Sequence, residues 1–382
     1  MTRILLGADI VPTETNYKKF AEADKLFLLG DKLVDIFQKV DYRIFNLEVP
    51  LIDKKNPIFK SGPNLIAPEN TIAGIKDMGI DLLGLANNHI LDQGISGLEN
   101  TIDILEKNGI AYVGAGENLK EAAQPFITKV NGIKIGIYAC AEHEFTIADM
   151  TTPGANPFDL LESFEHVERL RKKVDYLIVM YHGGKEHYRY PSPNVQKYCR
   201  KFVDKGADLV VCQHTHCIGC EEKYNSGTIV YGQGNFLFDN SNREYWQTSL
   251  LILIEIIEDR SEIRYLPIRK HREMIRLAEK EDKEEILNDF YKRSVEIQSD
   301  EFIEKNYGEF AEKLYINYIR QCLGKRSHSI CFRIFNKLSH GKLANGQFSL
   351  QDLLNLQNTI RCEAHSEVFL RGLEDEIKRR KG

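Results

Sequence analysis

Six short apolar runs in this chain of 382 residues end on polar side chains able to bind a metal ion or move a proton. They finish at Asp9, at Asn46 with Glu48, at Asn88 followed by His89, at His182, at His214 with His216, and at Asn235. The run VVCQHTH, Val210 to His216, stops at two histidines in an i, i+2 arrangement before the chain bends through Cys217, Ile218 and Gly219. At strand geometry, positions i and i+2 point to one side, so both rings can meet one ion or two neighbouring ions. Taken alone, the pair looks the same as two exposed or hydrogen-bonded loop histidines. With the other tips it gives carboxylates, amide oxygens and imidazoles, a mixed N/O set suited to Mn, Fe, Zn or Mg rather than to a thiolate-loving metal.

The neighbours of these tips supply further chemistry. Asp92 follows His89 by three residues, and Glu186 follows His182 by four, with Gly183 and Gly184 allowing close backbone approach between them. Asn46 shares a side with Glu48 in the extended segment FNLEVPL, and the turn GQGNF bends the chain so that Asn235 faces the same site. Asn46, Glu186, Asn235, Lys185 and Tyr188 are candidate substrate contacts, and Lys60, Asn64 and Arg189 are further groups that suit an anionic ligand. Cys217 and Cys220 form a lone C-x-x-C, which without a second such pair reads as two incidental thiols. GAGEN, Gly114 to Asn118, lacks the third glycine of a dinucleotide fingerprint and reads as a tight turn opening a helix.

The elements that must position these residues follow from periodicity. RILLGADIV, YRIFNLEV, DLLGLANNH, AYVGAG, IKIGIYACA, DYLIVMYHGG, ADLVVCQHTH, GTIVYGQGNF and SLLILIEII read as strands rich in β-branched and large apolar residues. Between them NTIAGIKDMG, GLENTIDILEKNG and NVQKYCRKFVDKG carry apolar residues at three and four spacing and stop at Gly79, Gly109 and Gly206, the pattern of amphipathic helices. The alternation predicts an α/β fold, and in such folds ligands bind beyond the carboxyl ends of the strands. From about His271 the sequence turns charged and helical. It divides the chain into a domain over 1–270 and a helical C-terminal extension over 271–382, in which His328, His340 and His365 lack metal spacing.

Composition narrows the partners. A net charge of -5 with 28% charged residues leaves no overall electrostatic footprint for nucleic acid or an anionic membrane surface. The opening MTRILLGADIV is too short for a signal segment or a membrane span, which gives the expectation of a cytoplasmic protein without a membrane anchor; scattered cysteines agree with a reducing compartment. Oligomeric state is not legible.

The order carboxylate, N-x-E, N-N-H, H-G-G, H-x-H resembles the metallophosphoesterase arrangement. The segments FNLEVPL, LANNHILDQGISGLENTIDILEKNGIAYVGAGEN and MYHGGKEHYRYPSPNVQKYCRKFVDKGADLVVCQHTHCIGCEEKYNSGTIVYGQGNFLFD resemble one branch of it, the CapA family of poly-γ-glutamate synthesis or capsule biosynthesis proteins. The resemblance runs from about Arg3 to Asp239 and leaves the helical tail uncovered. It implies a metallophosphoesterase-like β-sandwich of two mixed sheets flanked by helices. It further implies that Asp9 binds a first metal, that Glu48 takes the bridging position, that Asn88, His182 and His214 hold a second metal, and that His216 returns to the first. His89 would be the general acid beside metal-activated water, with Asp92 holding its ring. The phosphoesterase pattern begins Asp-x-His, but Ile10 and Val11 follow Asp9, so one imidazole is missing; His143 and His187 are the candidate substitutes. The implied function is that of a metal-dependent, phosphoesterase-like hydrolase in capsule or poly-γ-glutamate biosynthesis, acting on a phosphoester or an anionic polymer. The alternatives are γ-glutamyl amide hydrolysis and a non-catalytic accessory protein that binds the polymer or its synthase.

Overall fold

The computed structural model describes residues 1–239, 241–258, 260–323, 327, 329–361 and 363–381. The chain divides into two units, Met1–Glu304 and Lys305–Gly382. The first is a four-layer α/β sandwich in which two mixed sheets pack face to face with helices on both outer faces.

The first sheet is centred on Thr2–Val11, which pairs in parallel with Tyr42–Leu47, followed outward by Leu82–Gly84 and Ala111–Val113. Its other flank is antiparallel: Thr248–Ile257, Arg260–His271 and Met274–Leu277. The second sheet runs Glu221–Tyr224, Gly227–Val230, Leu209–Gln213, Tyr176–His182, Ile133–Ala141, Phe126–Val130, parallel in the middle and antiparallel at both edges.

The central strands are apolar on both faces because both faces are covered. Along Thr2–Val11, Ile4 and Leu6 enter the core between the sheets, while Leu5 points the other way into the helix-side core with Leu33, Phe37 and Leu98. Ile137, Ile178 and Val211 of the second sheet meet Ile4 and Leu6 from across the sandwich. The opposite face of the second sheet packs Tyr138, Val179 and Val210 under Phe164, Cys199 and Phe202 of two covering helices, Glu162–Arg171 and Pro193–Asp204. The second of these starts where Ser192 accepts a hydrogen bond from the Val195 N–H at 3.2 Å, with Pro193 in the first turn where its missing N–H costs nothing. Helix Gly94–Asn108 ends on Gly109 at φ 71°, a left-handed stop.

One feature of the first sheet places the site. Thr2–Val11 is flanked by antiparallel Thr248–Ile257 only as far as Leu6; beyond it the neighbour becomes parallel Asn235–Phe238, and the register against Tyr42–Leu47 shifts between Leu6 and Asp9. Gly7 sits at that change, where a Cβ would lie 1.8 Å from the Phe45 ring, so only glycine lets the strand through. The exchange of neighbours opens a crevice at the strand's carboxyl end, where α/β sheets bind ligands.

The expected boundary at 270 falls inside an antiparallel hairpin. Met274–Leu277 pairs with Arg260–His271, and helix Lys280–Glu296 buries Phe290 in the core between the sheets, with the Phe290 and Tyr265 ring centroids 4.7 Å apart. Both elements lie in the first unit, so the charged texture that begins near His271 marks edge elements of the sandwich before it marks the tail. In the second unit the described residues that form regular structure are helical throughout: the continuation of Asp300–Cys322, then Ile330–Leu338, Lys342–Asn345, Leu350–Arg361 and Glu363–Lys381. The tail histidine His328 lies outside the described residues. No helix among the described residues is long and apolar enough to cross a membrane.

Candidate metal centre and cleft

The strand tips named from sequence meet at the mouth of the crevice. Asp9 stands in register with Asn46 on one side and Asn235 on the other, and His182 ends the strand beside Leu209–Gln213, which runs directly into His214 and His216. All of these side chains are buried.

On the first sheet, Asn46 Nδ2 donates to Asp9 Oδ1 at 2.8 Å, while Asp9 Oδ2 takes no hydrogen bond and lies 3.7 Å from His216 Nδ1. Glu48 Oε1 lies 3.2 Å from His182 Nε2, yet neither Glu48 oxygen takes a hydrogen bond. The same His182 Nε2 is 3.0 Å from Asn88 Oδ1, so an imidazole nitrogen, a carboxylate oxygen and an amide oxygen converge on one point. The His214 ring is centred 5.0 Å from that of His182, and its Nδ1 is buried and unpartnered. His216 Nδ1 lies 2.9 Å from Asn235 Oδ1, which can only accept, so Nδ1 carries the hydrogen and Nε2 keeps its lone pair. Potential donor atoms of Glu48, His214 and His216 all lie within 4.8 Å of one another, a cluster able to hold a metal ion.

Backbone strain accompanies the cluster. His214 at φ 80° and His216 at φ 52° both occupy the left-handed region, which costs a residue with a Cβ roughly 1–2 kcal/mol. Strain of this kind persists where surrounding structure over-determines it, and it gathers at functional sites. Electrostatics point the same way. Burial, and then the charge of Glu48, push the Asp9 carboxyl well above its ordinary range. Burial also works to raise Glu48, but the charges of His216 and His182 outweigh it and hold Glu48 low. Burial, with His182 and His216 next, presses His214 well down, favouring the neutral imidazole that binds metals.

These features test whether the residues suit a divalent ion. A buried acceptor left unpaired costs about 1–3 kcal/mol, and the Asp9 and Glu48 oxygens with His214 Nδ1 form several in one place. A hard or borderline cation satisfies all of them together, and the N/O donor set matches. The residues fit.

A second constellation borders the first. His89 Nδ1 lies 2.6 Å from Asp92 Oδ2, and Asp92 also accepts from the Leu65 N–H at 2.6 Å. Lys60, its side chain only 2% exposed, pairs with the other Asp92 oxygen and donates to the Asn88 carbonyl at 3.2 Å. Asn87 holds the turn from beneath, donating from Nδ2 to the Leu47 carbonyl at 2.8 Å and accepting at Oδ1 from the His89 N–H at 3.1 Å. A cleft of about 500 Å³ opens over both constellations, walled by Asn88, His89 and His216 and by Lys60, Arg243 and Trp246. Trp246 stacks on His216 with ring centroids 4.8 Å apart, and its Nε1–H donates to His187 Nε2 at 3.1 Å.

The sequence reading sorts against this geometry residue by residue. The structure brings together Asp9, Glu48, Asn88, His182, His214 and His216, with His89 and Asp92 beside them. Asn46 and Asn235 are buried behind the cluster, where they hold Asp9 and His216 rather than face the cleft. Glu186 lines the cleft, as does His187. Lys185 is exposed and Tyr188 is buried with its ring 5.9 Å from that of Tyr190; neither lines the cleft, because the loop after His182 turns inward at Glu186 and His187 instead. His143 is exposed and lies outside the cleft lining. Cys217 and Cys220 are buried, and among the described residues they join no metal-binding cluster. Asn87, Glu144, Arg243 and Trp246 were not singled out by sequence. The doubled Asn in Asn87-Asn88 is the one signal that could have found the first of them.

Two mixed sheets with helices outside, and N/O donors gathered at the strands' carboxyl ends, define an α/β sandwich with a candidate metal centre. The chain belongs to the family described as bacterial capsule synthesis protein PGA_cap, whose model matches residues 4–240. It is 35% identical over 209 residues to a capsule biosynthesis protein CapA of Bacillus anthracis, covering 52% of this chain and 51% of that one. It is 31% identical over 210 residues to a PGA biosynthesis protein CapA of Bacillus subtilis (strain 168), covering 53% and 55%. The chain thus spans about half the length of these curated relatives. Solved structures that align with it include one described as a novel phosphatase, from Mycoplasma pneumoniae, with TM-score 0.45, 13% identity and coverage of 71% of this chain and 94% of that one. Another is a 5'-nucleotidase precursor from Thermus thermophilus, with TM-score 0.41, 12% identity and coverage of 82% and 59%.

Proposed function

We propose that the chain is a metal-dependent phosphoester hydrolase serving capsule or poly-γ-glutamate metabolism in the cytoplasm. Asp9, Glu48, Asn88, His182, His214 and His216 would hold one or two divalent ions, Mn, Fe, Zn or Mg by donor type. Such an ion supplies positive charge for the ester's oxygens and makes water acidic enough to ionise near neutral pH. The chain's own residues do the rest. Asp92, fixed by Lys60 and the Leu65 N–H, accepts from His89 Nδ1 and so sets the ring's tautomer. In its doubly protonated form His89 carries on Nε2 the proton that the leaving oxygen takes as its bond to phosphorus breaks and a bond from a water oxygen to phosphorus forms, and that proton is replaced from solvent through the open cleft. Lys60 is taken up by Asp92, so Arg243 is the cation the cleft wall offers an anionic ester, beside the acids Glu144 and Glu186.

The observation that carries this reading is the His89–Asp92 contact at 2.6 Å beside the buried donor cluster, since a scaffold that only bound a polymer has no use for an oriented imidazole there. Ile10 and Val11 are buried in the helix-side core and supply no donor, while the candidate substitute His187 lines the cleft with its ring centred 6.3 Å from that of His216. The test is turnover of an aryl phosphoester and, separately, of a γ-glutamyl oligomer by the manganese-loaded protein. Release of phosphate supports the reading. Cleavage of the oligomer alone would make the chain an amide hydrolase, and binding of the polymer with no turnover of either substrate would make it an accessory protein.

A further inference from the structure

Helix Ile330–Leu338 is built inside out. Its buried residue is Asn336, whose Oδ1 accepts from the Ala344 N–H at 2.8 Å and whose carbonyl accepts from the Gly341 N–H at 2.8 Å. Ile330, Ile334, Phe335 and Leu338 are exposed, from 53% to 74% of their surface. Spacing of four places Ile330, Ile334 and Leu338 in one stripe, with Phe335 on its shoulder and Arg333 and Lys337 along the other border.

The charge around this helix is one-sided. Between Glu312 and Asp352 the sequence contains no acidic residue and seven Lys or Arg, in a chain whose net charge is -5. A groove of about 690 Å³ runs between this helix and Asp300–Cys322, and Lys313, Arg320, Arg333 and Lys337 line it against Ile330 and Ile334, with Glu312 as the acid at its edge. Whole-chain charge, which gave no sign of an anionic surface partner, averages this basic stretch against acidic sequence elsewhere.

We propose that this face docks on a membrane surface carrying anionic phospholipid headgroups. An apolar stripe bordered by cations is the pattern of a helix lying in the headgroup boundary, its apolar side chains among the upper acyl carbons and its cations on the phosphates. Nine residues make about 13 Å of helix, enough to lie on a bilayer and far short of crossing one. A soluble polyanion matches the cations but leaves four large apolar side chains in water. A second copy of the chain covers the stripe but sets like charge against like charge.

The test is co-sedimentation of the full chain with phosphatidylcholine vesicles, with and without phosphatidylglycerol. The expected result is binding about tenfold or more stronger to the anionic vesicles and weakened by salt. Ile334→Ser with Leu338→Ser should lower it about tenfold, and so should Arg333→Gln with Lys337→Gln. All four positions are exposed, so circular dichroism should be unchanged in both variants. The proposal is overturned if anionic vesicles bind no better than neutral ones or if neither variant weakens binding. It is also overturned if the apolar variant binds normally while soluble polyglutamate competes, which marks a polyanion site, or if a dimer seen at sedimentation equilibrium disappears in that variant, which marks an interface between copies.

Discussion

His89 Nδ1 and Asp92 Oδ2 face each other at 2.6 Å across a single turn, and the carboxylate can only accept, so Nδ1 carries a hydrogen and Nε2 is the nitrogen left to take up or give a second proton. His89→Asn is expected to lose turnover about a hundredfold or more while metal content stays near that of the native protein. The loss should be larger for an alkyl ester than for a nitrophenyl ester, whose leaving group departs without a proton. Equal loss of metal and turnover would make His89 a ligand instead.

Lys60 and Asp92 form an ion pair buried from solvent on both sides, at 2% and 0% exposure. Removing one partner strands the other charge in the interior, which costs about 3–5 kcal/mol. Lys60→Met is therefore expected to lower the urea midpoint sharply, and Lys60→Met combined with Asp92→Asn to recover much of it. Additive losses in that double-mutant cycle would show that the pair is not coupled.

Metal should stabilise the fold through the orphaned atoms at Asp9, Glu48 and His214. Binding that is exclusive to the folded state adds about 2.7 kcal/mol at a hundredfold excess over Kd, so manganese should raise the melting temperature of the native protein measurably. His214→Ala, which removes one of the unpartnered donors, should abolish most of that rise. An equal rise in the variant would place the ion elsewhere.

Thiol reactivity should divide by burial. Cys140, Cys199, Cys212, Cys217 and Cys220 are buried, and burial first of all pushes the Cys140, Cys199 and Cys220 thiols well up and Cys217 to about 11; Cys322 and Cys331 are exposed. Site-resolved alkylation at neutral pH is expected to label Cys322 and Cys331 quickly and the five buried thiols only on unfolding. Rapid labelling of Cys217 or Cys220 would revive the C-x-x-C as a reactive pair.

The convergence of Asp9, His182 and His214 was legible because each candidate donor sits near the carboxyl end of an apolar strand, so a polar side chain closing an apolar run marks both the element and its tip. The fold class followed from the same alternation. Lys60 was visible only as one cation in a loop of mixed polar residues, since nothing local tells a solvated lysine from one folded under a distant Asp92. The strands Arg260–His271 and Met274–Leu277 alternate charges with apolar residues as sheet-edge strands do, and that texture merged with the helical tail and pulled the expected boundary to 270. For Ile330–Leu338 the periodicity gave the helix but not which face is buried, because the buried residue there is polar.

The central claim is that the strand-tip cluster is a metal site, and elemental analysis of the manganese-reconstituted, exhaustively dialysed protein tests it most directly. The account predicts stoichiometric metal in the native chain and its loss when Glu48→Gln and His214→Ala are combined, with the circular dichroism of the sandwich retained. A native chain that dialyses free of metal, or a doubly substituted one that retains as much, would contradict it.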